Sequence, residues 1–286
     1  MNEIKRTVER AYAKINLYLD ITGRLANGYH TLDTVMCAID LYDEVVVSIG
    51  SEHGVYLSGD PTIPTDERNI AMKAANTFFA ETGLSAKVSI RIIKNIPTEA
   101  GLGGSSTDGA TVLKALNRLF GEPLPRERLI ELGASLGADV PFCLVGGAAV
   151  CGGIGERITP IELPNDFVIG LVKPDLSCST AAAYRAYDDA PLAARADFDG
   201  FVRSLPLGVK AWSGGVYNVF EKLYRDERID ALVAALKKNG ALAAALSGSG
   251  SAVFGIFESE TAARNALLPI TAPFRGVVKI ANREEI

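Results

Sequence analysis

The sequence predicts a mixed α+β protein built as two lobes, and three observations carry that prediction. The chain has 286 residues, which is room for one large domain or, on the better prior, two ordinary ones. Stretches with the two-residue period of strands alternate with stretches of helical period from one end to the other. A turn-rich stretch, Gly152-Gly153-Ile154-Gly155, closes the first half. The boundary is expected between residues 155 and 165, giving lobes of residues 1–160 and 161–286. No tandem repeat or low-complexity linker interrupts them.

Each element has its own signal. In residues 11–21, Ala13, Ile15, Leu17, Leu19 and Ile21 alternate with Lys14, Asn16, Tyr18 and Asp20. Period two predicts a half-buried strand with Lys14 and Asn16 on its polar face. A loop over residues 23–30 follows. Residues 44–49 and 88–93 are β-branched and turn-bounded, hence strands, and residues 70–79 read as a helix that Asn69 is placed to cap. The run from Ile96 to Ala110 changes character halfway, from a glycine-rich loop to the helical pattern Val112, Leu113, Leu116, Leu119, Phe120. Ser105, Ser106 and Asp108 are the capping candidates. Gly121-Glu122-Pro123 stops that helix, and a second spans residues 125–136. Pro141 disfavours helical geometry at Val140, so Asp139 falls at a break between elements. Residues 146–150 look strand-like. The second half offers strands at 167–172, 241–246, 252–257 and 276–281, with helices at 179–188, 215–225, 228–238 and from about 260.

Composition narrows the function. Charged residues are 22% and the apolar group 48%, an ordinary balance for a folded globular chain. Net charge is -5, which speaks against broad nucleic-acid binding but leaves a phosphorylated substrate open, since that needs only local donors. No stretch reaches the apolar length of a membrane helix and no signal-peptide core is seen, so a cytoplasmic location without membrane partners is expected. Cys37, Cys143, Cys151 and Cys178 have no metal-like spacing and are expected reduced and buried. His30 and His53 are too few for a histidine metal site.

The glycine run carries the chemistry. Gly101, Gly103 and Gly104 admit positive φ and leave no Cβ in a ligand's way, and the helix after them opens with N–H groups that lack intrahelical partners. Such a place attracts anions, phosphate above all. The Walker pattern is absent, and Gly101-x-Gly103-x-x-Ser106 lacks the last glycine of the dinucleotide pattern, so an ordinary helix entry stays open. Phosphoryl transfer needs a cradle, a cation and a positioned acceptor. Backbone N–H groups of residues 100–107 offer the cradle, Ser106 or Thr107 a hydroxyl for phosphate or Mg²⁺, and Lys14 with Asp139 an ion pair at the acceptor. Lys14 also reads as a solvated charge, Asp139 as a turn residue, Tyr29 and His30 as loop bystanders, and the glycine-serine run 247–251 as a hairpin turn. Glu99 would repel a bound triphosphate unless it turns away.

Three separated segments resemble the GHMP kinase superfamily: Pro97-x-x-Ala100-Gly101-Leu102-Gly103-Gly104-Ser105-Ser106 as its phosphate loop, Ala13-Lys14-Ile15-Asn16-Leu17 as its early strand, and Ser247-Gly248-Ser249-Gly250 as its late glycine turn. Gly28-Tyr29-His30-Thr31-Leu32 and Gly137-Ala138-Asp139-Val140-Pro141-Phe142 are similar to the branch that phosphorylates the 2-hydroxyl of a cytidine diphosphate-linked methylerythritol in non-mevalonate isoprenoid synthesis. The likeness is clear over residues 10–160 and thinner beyond, where Lys173-Pro174 and Ser179-Thr180 support it. It implies a first lobe similar to ribosomal protein S5 domain 2, a C-terminal α+β lobe, ATP and Mg²⁺ as cofactors, and a small-molecule substrate carrying cytidine diphosphate.

By matching position, the resemblance makes Asp139 the general base and Lys14 its cationic partner, steadying the carboxylate's charge. Pro97, Thr98, Glu99, Ala100, Gly101, Leu102, Gly103, Gly104, Ser105, Ser106 and Thr107 would hold the phosphates, with Asn69 and Lys94 near the adenine. Asn16, Tyr29, His30 and Tyr184 would take the substrate, aromatic faces stacking on cytosine and the His30 segment reading its polar edge. The sequence departs from the family's usual pattern at Glu99, Ser105, Thr107, Gly109 and Ser251. A homoserine- or mevalonate-type acceptor, or nucleotide binding without catalysis, are the alternatives.

Overall fold

The computed structural model describes residues 5–50, 54–190, 195–223 and 226–283. His53 and the last two residues of the helix expected at 215–225 lie outside the described residues. In chain order the elements are β1 (Lys5–Arg24), β2 (His30–Gly50), β3 (Gly54–Gly59), α1 (Ile70–Thr82), β4 (Lys87–Ile93), α2 (Gly104–Leu119), α3 (Arg126–Leu136), α4 (Val140–Val145), β5 (Ala148–Gly152) and β6 (Arg157–Ile161). There follow β7 (Val168–Lys173), α5 (Thr180–Asp189), α6 (Phe198–Ser204), α7 (Val209–Trp212), β8 (Tyr217–Asn218), α8 (Phe220–Leu223), α9 (Glu227–Lys238), β9 (Ala243–Leu246), β10 (Val253–Phe257), α10 (Glu260–Leu267) and β11 (Phe274–Val278).

A long antiparallel pair, β1 with β2, forms the spine of the first sheet, whose order is β3-β4-β2-β1-β8 with β5 joining β2 to β6. Helices α1, α2 and α4 pack Ala75, Phe78, Leu113, Leu116 and Phe142 against Val45, Val47, Ile90 and Ile92 of that sheet. The second sheet, β11-β7-β10-β9, is antiparallel throughout, and α9 and α10 cover it with Ile229, Leu236, Ala263 and Leu267. A further core runs between the sheets, from Ile15, Leu17 and Val35 to Ile169, Leu171, Phe254 and Ile256. Burial of these apolar side chains joins the two sheets.

Several expectations needed correction. The strand at residues 11–21 is not half-buried: every residue of it is buried, because its Lys14–Asp20 face lies under other parts of the chain instead of solvent. Tyr18, for example, packs on Phe198, Phe201 and Tyr217. Register irregularities at Tyr12/Lys14 and Asn16/Tyr18 flank the two polar residues and re-aim them. Residues 44–49 are the end of the 21-residue β2. Val140 is helical despite Pro141, since the first turn of α4 has no use for the proline's missing N–H. The helix expected at 215–225 is divided between β8 and α8, and the final strand lies a little earlier, at Phe274–Val278. Asn69 caps α1 as expected, accepting from Ala71 N at 2.9 Å.

Candidate active site

A cleft of about 570 Å³ opens where β1, α2, α4 and α5 converge, and residues 97–106 form one wall. Gly103, at φ +72°, is the residue before α2. The first intrahelical bond runs from Thr107 N to Gly103 O at 2.8 Å, so the N–H groups of Gly104, Ser105 and Ser106 precede the ladder. The helix thus starts ahead of the expected caps. Ser105 and Ser106 fall in its first turn, and Asp108 is inside it. The turn 247–251 is not a surface hairpin: Ser247 Oγ donates to Gly101 O at 2.9 Å and Ala252 N to Ala100 O at 3.0 Å. A Cβ on Gly101 would stand 2.0 Å from the Ser247 carbonyl oxygen, so only glycine fits there. Open N–H groups, two positive-φ glycines and a helix N-terminus fit a polyphosphate.

A second cluster on the cleft wall is assembled around Lys14. Its backbone N–H donates to Leu102 O at 2.9 Å, fastening β1 to the glycine loop, and its side chain runs under Gly103, where a Cβ would come within 3.0 Å. Lys14 Nζ donates to Asn16 Oδ1 at 2.8 Å, Asn16 Nδ2 to Thr34 Oγ1 at 2.9 Å, and Thr34 Oγ1 to Tyr18 O at 2.6 Å. Asp139 Oδ2 stands 3.4 Å from Lys14 Nζ, the lysine side chain 4% exposed and the aspartate 36%. A buried ammonium is stable only beside such partners. Asp139 occupies the cap position of α4 yet makes no capping bond, which leaves its carboxylate free toward the cleft.

Lys94 also lines the cleft, but its ammonium is committed elsewhere. It bonds Asp108 Oδ2 at 2.8 Å and, very closely, Asp43 Oδ2. Asp43 Oδ1 accepts from Asn95 N and Ile96 N, so this buried trio anchors the strand that leads into the loop. Burial and the neighbouring Asp43 push the Asp108 carboxyl up to about 7, although Lys94 opposes them. For Lys94 burial works against the charge, and the two carboxylates more than offset it.

Other expected residues fall on both sides of the cleft wall. Pro97, Thr98, Glu99, Ala100, Leu102 and Ser106 line it, whereas Thr107 is buried and does not. Ser106 is therefore the better placed of the two hydroxyls for phosphate or metal. Glu99 lines the cleft, and its carboxylate accepts a hydrogen bond from Ser177 Oγ of the second lobe. Asn69 is not among the lining residues; its amide donates to Pro64 O at 2.9 Å while its oxygen caps α1. Tyr184 lines the far end, its hydroxyl pushed up to about 12 by burial and by the charge of Asp139. Neither Tyr29 nor His30 lines the cleft: Tyr29 is 58% exposed, and His30 is buried, stacked on Tyr184 at 4.8 Å. All four cysteines are free and buried as expected, Cys143 pushed up to about 12 by burial and so unreactive.

The structure adds residues the sequence did not single out. Thr34 supports Asn16; Thr180 Oγ1 and Ser249 Oγ lie 2.8 Å apart on the wall; Leu19, Leu32 and Phe220 make the Tyr184 end apolar. Only the spacing of Tyr184 and Asp188, one helical turn apart, was a usable signal for another, Asp188.

Comparison with known proteins now bears on this geometry. The GHMP kinases N terminal domain matches residues 69–147 and the GHMP kinases C terminal domain residues 224–276. A 4-diphosphocytidyl-2-C-methyl-D-erythritol kinase of Caldicellulosiruptor saccharolyticus is 40% identical over 255 residues, 88% of either chain. The chain belongs to the GHMP kinase family. The homologous enzyme of Alkaliphilus metalliredigens is 38% identical over 92% of either chain. A crystal structure of 4-(cytidine 5'-diphospho)-2C-methyl-D-erythritol kinase superposes on this GHMP kinase with a TM-score of 0.80 at 31% identity, covering 96% of this chain and 100% of that one. Homoserine kinase from Cytophaga hutchinsonii, at 19% identity and a TM-score of 0.76, shares the fold, with 99% and 96% covered. The fold class is therefore the two-part GHMP kinase arrangement, and ATP is its phosphate donor.

Proposed function

We propose that this GHMP kinase transfers the γ-phosphoryl group of ATP to the 2-hydroxyl of 4-(cytidine 5'-diphospho)-2-C-methyl-D-erythritol, a step of non-mevalonate isoprenoid precursor synthesis. The observation that carries the reaction is the Lys14–Asp139 pair, 3.4 Å apart on the cleft that the phosphate loop walls. The identity of the acceptor follows the relatives just described. The phosphate loop presents N–H groups to the triphosphate, and Asp139 takes the acceptor's proton as the hydroxyl attacks. Lys14, held by Asn16, orients that hydroxyl and offsets the charge that develops there.

Mg²⁺, if it enters with the nucleotide, would supply charge neutralisation at the phosphates. Ser106, which lines the cleft, is the residue of this chain that would hold it; among the described residues no cluster of three acidic, histidine or cysteine side chains forms a metal cage. The apolar end at Leu19, Leu32, Tyr184 and Phe220 takes the cytosine, with His30 stacked on Tyr184. No helix among the described residues is long and apolar enough to cross a membrane, and we place the enzyme in the cytoplasm.

Purified protein with ATP, Mg²⁺ and the cytidine substrate yields ADP on this reading. Asp139→Asn lowers kcat by about 10²- to 10⁴-fold while calorimetry still records ATP binding. An unimpaired variant overturns the base assignment. Turnover of homoserine or mevalonate in place of the cytidine substrate overturns the acceptor, and ATP binding without ADP release from any acceptor removes catalysis altogether.

A further inference from the structure

We propose that Asp188 sets the base specificity of this kinase by deciding which ring nitrogen of His30 carries the proton. The inference rests on the cytidine diphosphate acceptor proposed above and adds a residue that no motif contains. Tyr184 and Asp188 are one turn apart on α5 and both reach His30. The Tyr184 ring stacks on the imidazole at 4.8 Å and 24°, Tyr187 meets it edge-on at 5.8 Å and 90°, and Asp188 Oδ1 lies 2.7 Å from His30 Nε2. Asp188 Oδ2 is 3.4 Å from Arg24 Nη1. The ring is thus clamped on a face, an edge and a nitrogen.

An ionised carboxylate only accepts hydrogen bonds, so the proton between the two groups sits on Nε2. A neutral imidazole with its hydrogen on Nε2 has a lone pair on Nδ1, and Nδ1 makes no hydrogen bond among the described residues. Cytosine carries an amino donor at N4 where uracil carries a carbonyl acceptor. A lone pair held at Nδ1 attracts the first and repels the second. Asp188 is a positioning residue: it acts on the base through His30 and leaves the phosphoryl transfer alone. A uridine diphosphate-linked analogue is the disfavoured acceptor.

The test compares kcat/KM for the cytidine substrate and its uridine counterpart in the wild type, in Asp188→Asn and in Asp188→Glu. Asparagine can donate its amide hydrogen to Nε2 and so let the proton move to Nδ1. The wild type should favour cytidine. Asp188→Asn should lower that preference roughly tenfold or reverse it, through KM for the nucleotide substrate with KM for ATP unchanged, and Asp188→Glu should restore part of it. Nitrogen-15 NMR of the wild type labelled at histidine should show His30 protonated on Nε2 alone, a reading that holds whether or not the variants fold. A cytidine preference that survives in folded Asp188→Asn overturns the proposal, as does an imidazolium or an Nδ1–H tautomer in the wild type. Absence of turnover with either nucleotide form by the wild type instead overturns the acceptor assignment on which the proposal stands.

Discussion

Two lysines line the same cleft, and their surroundings give them different work. Lys14 has one neutral hydrogen-bond partner, Asn16, and a looser contact at 3.4 Å with a part-exposed carboxylate. Lys94 is gripped by two carboxylates, Asp43 and Asp108, that are themselves buried. The ammonium of Lys14 keeps donor capacity for a ligand, while that of Lys94 is consumed in holding the approach to the phosphate loop. A charged side chain on a cleft wall is therefore not automatically a ligand contact; what decides is how many of its donors the protein has already used.

The comparison breaks most visibly at Lys94. Lys94→Met leaves two buried carboxylates without a counter-charge, and denaturant unfolding should record a loss of about 3–5 kcal/mol. Should that variant unfold like its parent and lose only ATP affinity, Lys94 belongs to the nucleotide site after all. Lys14→Met should do the opposite: steady-state assays should show kcat down by about 10²- to 10³-fold, with a smaller change in stability, because Asp139 can turn to water.

A finer probe is pH. Asp108 is raised from its ordinary 3.8 to about 7, so the stability it contributes is present below the lower value and is lost as pH climbs through the upper one. Asp108→Asn lacks that dependence, and melting curves should show it gaining on the wild type between about pH 4 and pH 7. A constant gap across that window would show that Asp108 is charged throughout. The smallest effect belongs to Glu99. Glu99→Ala removes a negative charge from the phosphate wall at the expense of the bond from Ser177, so KM for ATP should fall and stability by no more than about 1 kcal/mol. A raised KM would mean that the carboxylate assists the nucleotide.

Much of this was legible along the chain. The glycine loop running into a helix, the capping role of Asn69 and most helix positions followed from local periodicity and turn chemistry, which depend on neighbours in sequence. The parts that failed share one cause. Whether Lys14 and Asn16 faced water, whether Thr107 reached the cleft, and whether Lys94 was free all depended on residues far away in the chain. Asp43 and Ser177 announced nothing by their spacing, and Asp188 only its place one turn from Tyr184; their roles arise from contacts across 51, 78 and 158 positions.

By itself the sequence showed the glycine loop entering a helix, because backbone freedom at glycine and a helix's open N–H groups are local properties, and it pointed to the family, and through that resemblance to Lys14 and Asp139. Only the tertiary structure decided which charges are available. Burial removes water from every polar group at once, and the partners that replace it are supplied by packing: Asn16 and Asp139 for Lys14, Asp43 and Asp108 for Lys94, Asp188 for His30.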